Sequence, residues 1–465
     1  VNPLVGLKTR AHAVADASRG GLTPVLGGQK TPRERLLTSM IETVGARGYA
    51  ATTVANVIAH AGASRRTFYQ QFTDRQACFL AASDQISGLW IERAGVAVDS
   101  AVEAGQDAVE AFIGALFHAA LATPAAPRLL VAELAAAGRP GIERRERVFV
   151  ELAATLRRAL AAGTSGKAYT DASHELTETS LVLRALVGAI VRVPYSRTLR
   201  GHSVRRPRRG TLLELVPHLA QWAATYRSVS PPALVPSDGP PQVGGRAPGT
   251  LSLSSSGSAR RGLPRGESTL SRSFVVHSQR ERLLDSIANL SAANGYASVT
   301  IPDLVTEAAV SVQAFYEHFT GRDDALLVAY EIGHRKALAL VERAFEAQDS
   351  WPLCVRAAVA MLLDFFASEP SFAHLALIDA PAAGAKVASA TREGQAAYIE
   401  LLKPGLTLGP ARTRPPELAA EASAGAVQEL CYVYVAAGRT RELSALLELA
   451  THVALRPFTA AGASP

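Results

Sequence analysis

Residues 61–75 read AGASRRTFYQQFTDR, and residues 308–322 read AAVSVQAFYEHFTGR. Ser64, Phe68, Tyr69, Phe72, Thr73 and Arg75 of the first stretch match Ser311, Phe315, Tyr316, Phe319, Thr320 and Arg322 of the second. In each, two Phe lie one helical turn apart, so a short helix starting after the Ser buries both on one face. The Ser hydroxyl is well suited to accept an unpaired N–H at that helix start. Gly62 precedes it where a tight turn needs a left-handed backbone. Ala309 holds the same place in the second stretch, at a cost of about 1–2 kcal/mol for its Cβ.

Outward from these stretches the match runs without a gap over 33–80 and 280–327. Both copies open Arg-Glu-Arg-Leu-Leu (Arg33–Leu37; Arg280–Leu284), then reach Gly-Tyr-Ala (Gly48–Ala50; Gly295–Ala297) and a Thr (Thr53; Thr300). In the first copy Leu36, Leu37, Met40, Ile41 and Val44 form one helical stripe that Gly48 terminates. Thr53 caps a short second helix with Val54, Val57 and Ile58 on its apolar face. Asp74 caps a longer fourth helix carrying Phe79 and Leu80. Three short helices with a glycine turn before the third make a helix-turn-helix, which leaves Arg65, Arg66, Thr67, Tyr69, Gln70 and Gln71 on the outer faces. The chain therefore carries a duplicated module.

The remaining composition agrees with a multi-unit helical protein. Of 465 residues 48% are hydrophobic, 19% charged and only 6% aromatic, which favours two to four helical units of roughly 100–200 residues each. No uncharged apolar run approaches the ~20 residues of a membrane span, and the first thirty residues lack the apolar stretch of a secretory signal. Cys78, Cys354 and Cys431 are odd in number and far apart, which fits a reducing cytoplasm; each reads as a buried small hydrophobe or, alternatively, a redox thiol. The string Gly163–Lys167 is too short for a phosphate loop. The histidines form neither a metalloprotease motif nor a zinc-spaced cluster, so neither an enzyme nor a metal or cofactor site is expected.

The net charge of +7 is unevenly placed. Residues 1–30 and 31–80 each carry +3, residues 197–277 carry +9, and residues 278–327 carry −4. Arg197, Arg200, Arg205, Arg206, Arg208 and Arg209 form a basic run without an acid among them; it is either a solvated loop or a phosphate-contacting arm. The Pro, Gly and Ser of 228–272 mark a linker.

Together the Arg-x-Arg-Leu-Leu opening, the Gly-Tyr-x-x-Thr-Thr segment, the Ala-Gly-Ala-Ser turn and Phe-Tyr-x-x-Phe-x-x-Arg resemble the tetracycline-repressor (TetR) family of transcriptional regulators. Arg75 stands where that family usually has a lysine. The resemblance implies an all-α fold of two fused units: a flexible tail at 1–30, a first helix-turn-helix domain at 31–80, a helical ligand and dimerisation domain at 81–227, the linker at 228–272, a second helix-turn-helix domain at 273–327, and a second helical domain at 328–458. It also implies that the paired C-terminal helices (Thr179–Val193 with Leu212–Tyr226; Ala420–Ala437 with Leu443–Leu455) make the family's four-helix interface within one chain, unless they are simply core helices.

The implied partners are double-stranded DNA and a small-molecule effector, with no membrane and a cytoplasmic location. DNA contacts would come from Thr53, Ser64, Arg65, Arg66, Thr67, Tyr69, Gln70, Gln71 and Arg75 in the first copy, and from Thr300, Ser311, Gln313, Tyr316, His318 and Arg322 in the second. Arg65 and Arg66 lie at the end of the third helix that enters the major groove, where an Arg reads guanine at about 1–3 kcal/mol of discrimination. The second copy has Val312 and Gln313 there, Glu317 for Gln70, and Asp323 and Asp324 close behind. It either binds DNA more weakly and with different specificity or serves as a structural partner. An effector pocket would draw on Trp90, Phe112, Phe117 and Phe149 in the first unit, or Phe345, Trp351, Phe365, Phe366 and Tyr398 in the second, all of which can equally be core. The expected function is a ligand-responsive repressor acting as a covalent pseudo-dimer on an asymmetric operator. Self-association through the first unit on a palindrome, or a helical small-molecule-binding protein with a vestigial second domain, are the alternatives.

Overall fold

A computed structural model describes residues 31–162, 177–198, 209–227, 231–234, 272–408 and 414–459. The expected N-terminal tail, the Gly163–Lys167 loop, Arg200 to Arg208 of the basic run and nearly all of the linker lie outside them. The described residues are helical throughout, without a strand.

The first head is built from α1 (Pro32–Arg47), α2 (Val54–Ala61) and α3 (Arg65–Gln71), followed by α4 (Arg75–Glu103). Each start has its own cap. Thr31 and Glu34 form a capping box on α1, Thr53 and Asn56 another on α2, Ser64 accepts from Thr67 N on α3, and Asp74 accepts from Ala77 N on α4. Leu36, Met40, Val44, Val57 and Phe68 are fully buried between these helices. Gly62 turns the chain between α2 and α3 at φ 58°.

The second head repeats the plan with α11 (Arg272–Asn294), α12 (Ile301–Glu307), α13 (Val312–His318) and α14 (Arg322–Glu346). Here Ala309 makes the turn at φ 50°, the only non-glycine residue at positive φ among the described residues. A Cβ at Gly62 would meet nothing within 4 Å, so backbone strain alone separates the two residues. Gly62→Ala is expected to cost about 1–2 kcal/mol. Ala309→Gly is expected to return up to about 1 kcal/mol, since glycine's freer unfolded chain offsets part of the relief. Urea midpoints check both signs.

Each head sits on a helical body. In the first unit it comprises α4, α5 (Ala108–Ala122), a broken helix α6 (Ala126–Arg128, Leu129–Glu133 and Leu134–Ala136), α7 (Arg139–Ala161), α8 (Glu178–Thr198), α9 (Arg209–Leu213) and α10 (Val216–Ala224). In the second it comprises α14, α15 (Trp351–Ser368), a broken helix α16 (Pro370–His374, Leu375–Asp379 and Ala380–Ala382), α17 (Ala385–Leu402), α18 (Ala419–Ala436) and α19 (Leu447–Thr459). The middle pieces Leu129–Glu133 and Leu375–Asp379 are both π-helical. A π-turn is rare and frequently marks a functional position, so its repetition carries the duplication well beyond the segments that match in sequence.

The two units meet through α8 packed on α18, flanked by α10 and α19. Tyr226 Oη donates to Val453 O at 2.7 Å, Trp222 Nε1 to Ser423 Oγ at 3.2 Å and Arg456 Nε to Thr225 O at 3.0 Å, all across the seam. Two of the expected seam helices are shorter than their apolar runs. Leu212–Tyr226 breaks after Leu213 and restarts at Val216, with Pro217, which lacks an N–H, in the first turn of α10. The run from Leu443 begins as a tight 3-10 segment, Thr440–Leu446, before α19. Allowing up to two charges, Glu178–Arg197 and Trp351–Ser368 are long and apolar enough to cross a membrane, unlike the uncharged runs considered above. In the first of them the apolar surface is buried against the partner unit.

Candidate nucleic-acid interface, the seam and an apolar cavity

Helix α3 presents Arg65, Arg66, Tyr69, Gln70 and Gln71 to solvent, while Phe68 and Phe72 anchor it beneath. Tyr69 is 55% exposed and Tyr316 on α13 is 57% exposed, each edge-on to the buried Phe before it. Among the described residues neither Arg65 nor Arg66 has an ion-pair partner. Ser64 and Thr67 hydroxyls lie 2.9 Å apart, and Thr53 Oγ1 donates to Asn56 Oδ1 at 2.7 Å.

The matched residues of the second head are more occupied. Gln313 Nε2 reaches Glu317 Oε1 at 3.3 Å, and Thr300 is held by Asp303 at 2.6 Å. Ser311 caps α13 by accepting from Ala314 N. His318 is half-buried, with its Nε2 buried and unpaired, and burial pushes its pKa down. Asp323 and Asp324 have local jobs. Asp324 accepts from Thr320 N at 2.8 Å, and Asp323 accepts from the Tyr296 hydroxyl.

Arg75 and Arg322 are braces in the structure. Arg75 Nη1 donates to Thr52 O at 2.7 Å and Tyr49 O at 3.2 Å, with its guanidinium 4.3 Å from the Tyr49 ring. Arg322 repeats this on Val299 O, Tyr296 O and the Tyr296 ring. Each ties the loop before the second helix to the start of the long fourth one.

Two buried carboxylates connect heads to bodies, and neither is signalled by any local pattern. Glu133, at the end of the first π-turn, accepts Tyr49 N at 2.7 Å and Arg128 Nε at 2.7 Å, while Arg128 Nη1 reaches Gly45 O. Asp379, at the end of the second, accepts Tyr296 N at 3.1 Å and lies 2.9 Å from His374 Nδ1. A carboxylate so placed makes head orientation depend on the body behind it.

The seam holds a further buried charge cluster. Arg145 of α7 makes a two-pronged bond to Glu429 of α18 at 2.8 and 2.7 Å, sandwiched between Phe149 and Tyr432 at 4.0 and 3.7 Å. Arg192 lies 3.7 Å from Glu429, and Arg184 binds Glu146. Burial works against the Glu429 charge, but Arg145, Arg192 and Arg184 outweigh it and hold its carboxyl below the ordinary range. A Cβ at Gly188 would overlap Glu429, and one at Gly425 would stand 3.6 Å from Arg192 Cδ. These reciprocal contacts make 188 equivalent to 425 and 192 equivalent to 429, so one unit carries Arg where the other carries Glu.

The second body contains a partly open cavity of about 120 Å³ between α14, α15, α16, α17, α18 and α19. Phe366 and Tyr398 of the expected lining residues face it, whereas Phe345, Trp351 and Phe365 do not line it. Trp90, Phe112, Phe117 and Phe149 of the first unit are buried core. All three cysteines are buried and unbridged; Cys431 lines the cavity, and burial pushes its thiol up to about 12. Among the described residues no cluster of three metal-ligating side chains occurs.

Two solvent-facing third helices, each set by a glycine-type turn on a capped three-helix head, define a DNA-binding regulator fold present twice. The family model described as bacterial regulatory proteins, tetR family, matches residues 37–82 and 283–329. The chain therefore carries this family's DNA-binding domain twice, in tandem. No curated protein matches it significantly. Solved structures similar to it include the fatty acid degradation regulator FadR from Bacillus halodurans (16% identity, TM-score 0.35, 38% of this chain and 94% of that one). FadR from Bacillus subtilis in complex with stearoyl-CoA is another (15%, 0.33, 38% and 96%), as is a transcriptional regulator from Rhodococcus sp. Rha1 (18%, 0.30, 38% and 95%).

Proposed function

We propose that this chain is a sequence-specific, non-catalytic DNA-binding repressor of the cytoplasm, released by a small-molecule effector, and that its two units act as a covalent pseudo-dimer on an asymmetric operator. The observation that carries this reading is the pairing of two equivalent but chemically unlike heads across one seam. Arg65 and Arg66 read base edges. Thr53, Ser64, Thr67, Tyr69, Gln70 and Gln71 hold phosphates or bases, with Arg75 bracing them and contributing charge. In the second head Thr300, Ser311, Gln313, Tyr316, His318 and Arg322 make a weaker set of contacts, because the surrounding acids oppose counterion release.

The charges at the seam favour pairing within the chain over self-association through the first unit. Two first units joined by this face would set Arg192 against Gly188 of the other copy and leave Arg145 without Glu429. Unpaired buried charge is strongly unfavourable, whereas a linked chain supplies the matching partner at high effective concentration. Footprinting on DNA upstream of the chain's own gene, with the mass of the complex measured in parallel, tests the proposal. One chain protecting two dissimilar half-sites about one helical turn apart is expected. Two chains on a palindrome would overturn it.

A further inference from the structure

The cavity lies in the second unit. Helices α4 and α14 start at the matched Arg75 and Arg322 and run unbroken, so residue equivalence carries along them. The cavity-lining Tyr330, His334, Ala337 and Val341 of α14 therefore correspond to Ser83, Ser87, Trp90 and Ala94 of α4. Trp90 is only 2% exposed, so in the first unit an indole packs into the core from the position where Ala337 leaves space. The polar groups differ as well. Ser83 Oγ and Ser87 Oγ donate back to Phe79 O and Ser83 O of their own helix, at 2.9 and 2.7 Å.

In the second unit the Tyr330 and His334 rings stack with centroids 5.6 Å apart, and Tyr398 meets His334 edge-on. Gln428 lines the cavity, and its amide oxygen is buried with no hydrogen-bond partner. A buried acceptor in that state calls for a donor. No Asp, Glu, Lys or Arg lines the cavity, and burial keeps His334 toward its neutral form, so a charged occupant would be poorly solvated. The volume has room for on the order of ten water-sized groups.

We propose that the second unit alone binds the effector, one per chain, and that the effector is an uncharged planar aromatic molecule with a single N–H or O–H donor, of about the size of the indole that Trp90 supplies to the first unit. The proposal rests on the ligand-responsive reading above and deepens it. Ala424, Val427, Gln428 and Cys431 of the lining belong to α18, the helix that holds Glu429 against Arg145. An occupant thus bears directly on the seam that sets the two heads.

Calorimetric titration of the full chain with indole tests this. One equivalent per chain is expected, with indole-3-acetate, which adds a carboxylate, binding at least about tenfold more weakly. Ala337→Trp, which fills the cavity and is checked for native helicity, is expected to abolish the indole heat. Trp90→Ala is expected to add a second equivalent or, because emptying that core lowers stability, to show a larger rise in melting temperature with indole than wild type. No binding, two equivalents in the wild type, or unchanged binding in Ala337→Trp overturns the proposal. DNA binding is read on the same samples. Operator binding with indole still taken up by Ala337→Trp removes the cavity and leaves the regulator reading intact. One Ala337→Trp-sensitive equivalent without any DNA preference does the reverse.

Discussion

Glu429→Ala is expected to destabilise the chain by about 3–5 kcal/mol, the range for breaking a buried ion pair by removing one partner. Glu429 is fully buried and takes both prongs of Arg145. Without it Arg145, Arg184 and Arg192 share one interior with Glu146 as the remaining acid. Arg145→Ala is expected to cost less, because Arg192 stays 3.7 Å from the Glu429 carboxylate and partly compensates it. The pair Arg197–Glu421, at 2.7 Å but partly solvated on both sides, is expected to contribute about 1 kcal/mol or less. Denaturant unfolding of the single variants and of Arg145→Met/Glu429→Leu separates these effects. The double variant is expected to recover only part of the Glu429→Ala loss, since an apolar pair of similar volume avoids the desolvation cost of Arg145 and Glu429 while Arg192 is left without its acid. What it loses is discrimination. With Arg145 gone, first-unit faces of two chains repel less, through Arg192 and Arg184 only, so sedimentation is expected to show more chain–chain association than in the wild type. A double variant as unstable as Glu429→Ala would mean that packing, not charge, holds the seam.

The heads were legible in the sequence because every determinant is local. Ser64 and Ser311 cap, Phe68 and Phe315 are buried one turn before Phe72 and Phe319, and Gly62 and Ala309 take the left-handed turn. The seam was legible only as apolar helices. Arg145 and Glu429 are 284 residues apart, and on its own helix each reads as an ordinary surface charge. The Tyr49–Glu133 bond spans 84 residues and is equally silent. Trp90 looked like a possible pocket wall because an aromatic on an apolar helix face suits either a wall or a core. Only the comparison with Ala337 inside a folded second unit separates the two. Arg75 matched a family contact position, yet nothing local announces that the carbonyls of Tyr49 and Thr52 converge on its guanidinium.

The largest functional effect is expected at the first head. Arg65→Ala/Arg66→Ala is expected to raise the operator Kd by about 10²–10³, because each guanidinium that reads a guanine contributes about 1–3 kcal/mol. Both side chains are exposed and, among the described residues, without an ion-pair partner, so the loss is one of binding and the melting temperature stays near wild type. Gln313→Ala in the second head removes a side chain already tied to Glu317, and is expected to change Kd by less than about tenfold. The two variants should also differ in which half of the operator they affect. Arg65→Ala/Arg66→Ala should relax base preference only in the half-site under the first head, while Gln313→Ala should act only on the other half. Val312→Arg/Gln313→Arg extends the test in the opposite direction. It gives the second helix the basic pair of the first, and is expected to shift preference from the asymmetric site toward a palindrome of the first half-site. Competition binding at several salt concentrations reads all three, because base contacts change specificity while phosphate contacts change the salt slope. Equal losses from the two heads, or identical half-site effects, would mean that the heads are used alike and that the operator is symmetric after all.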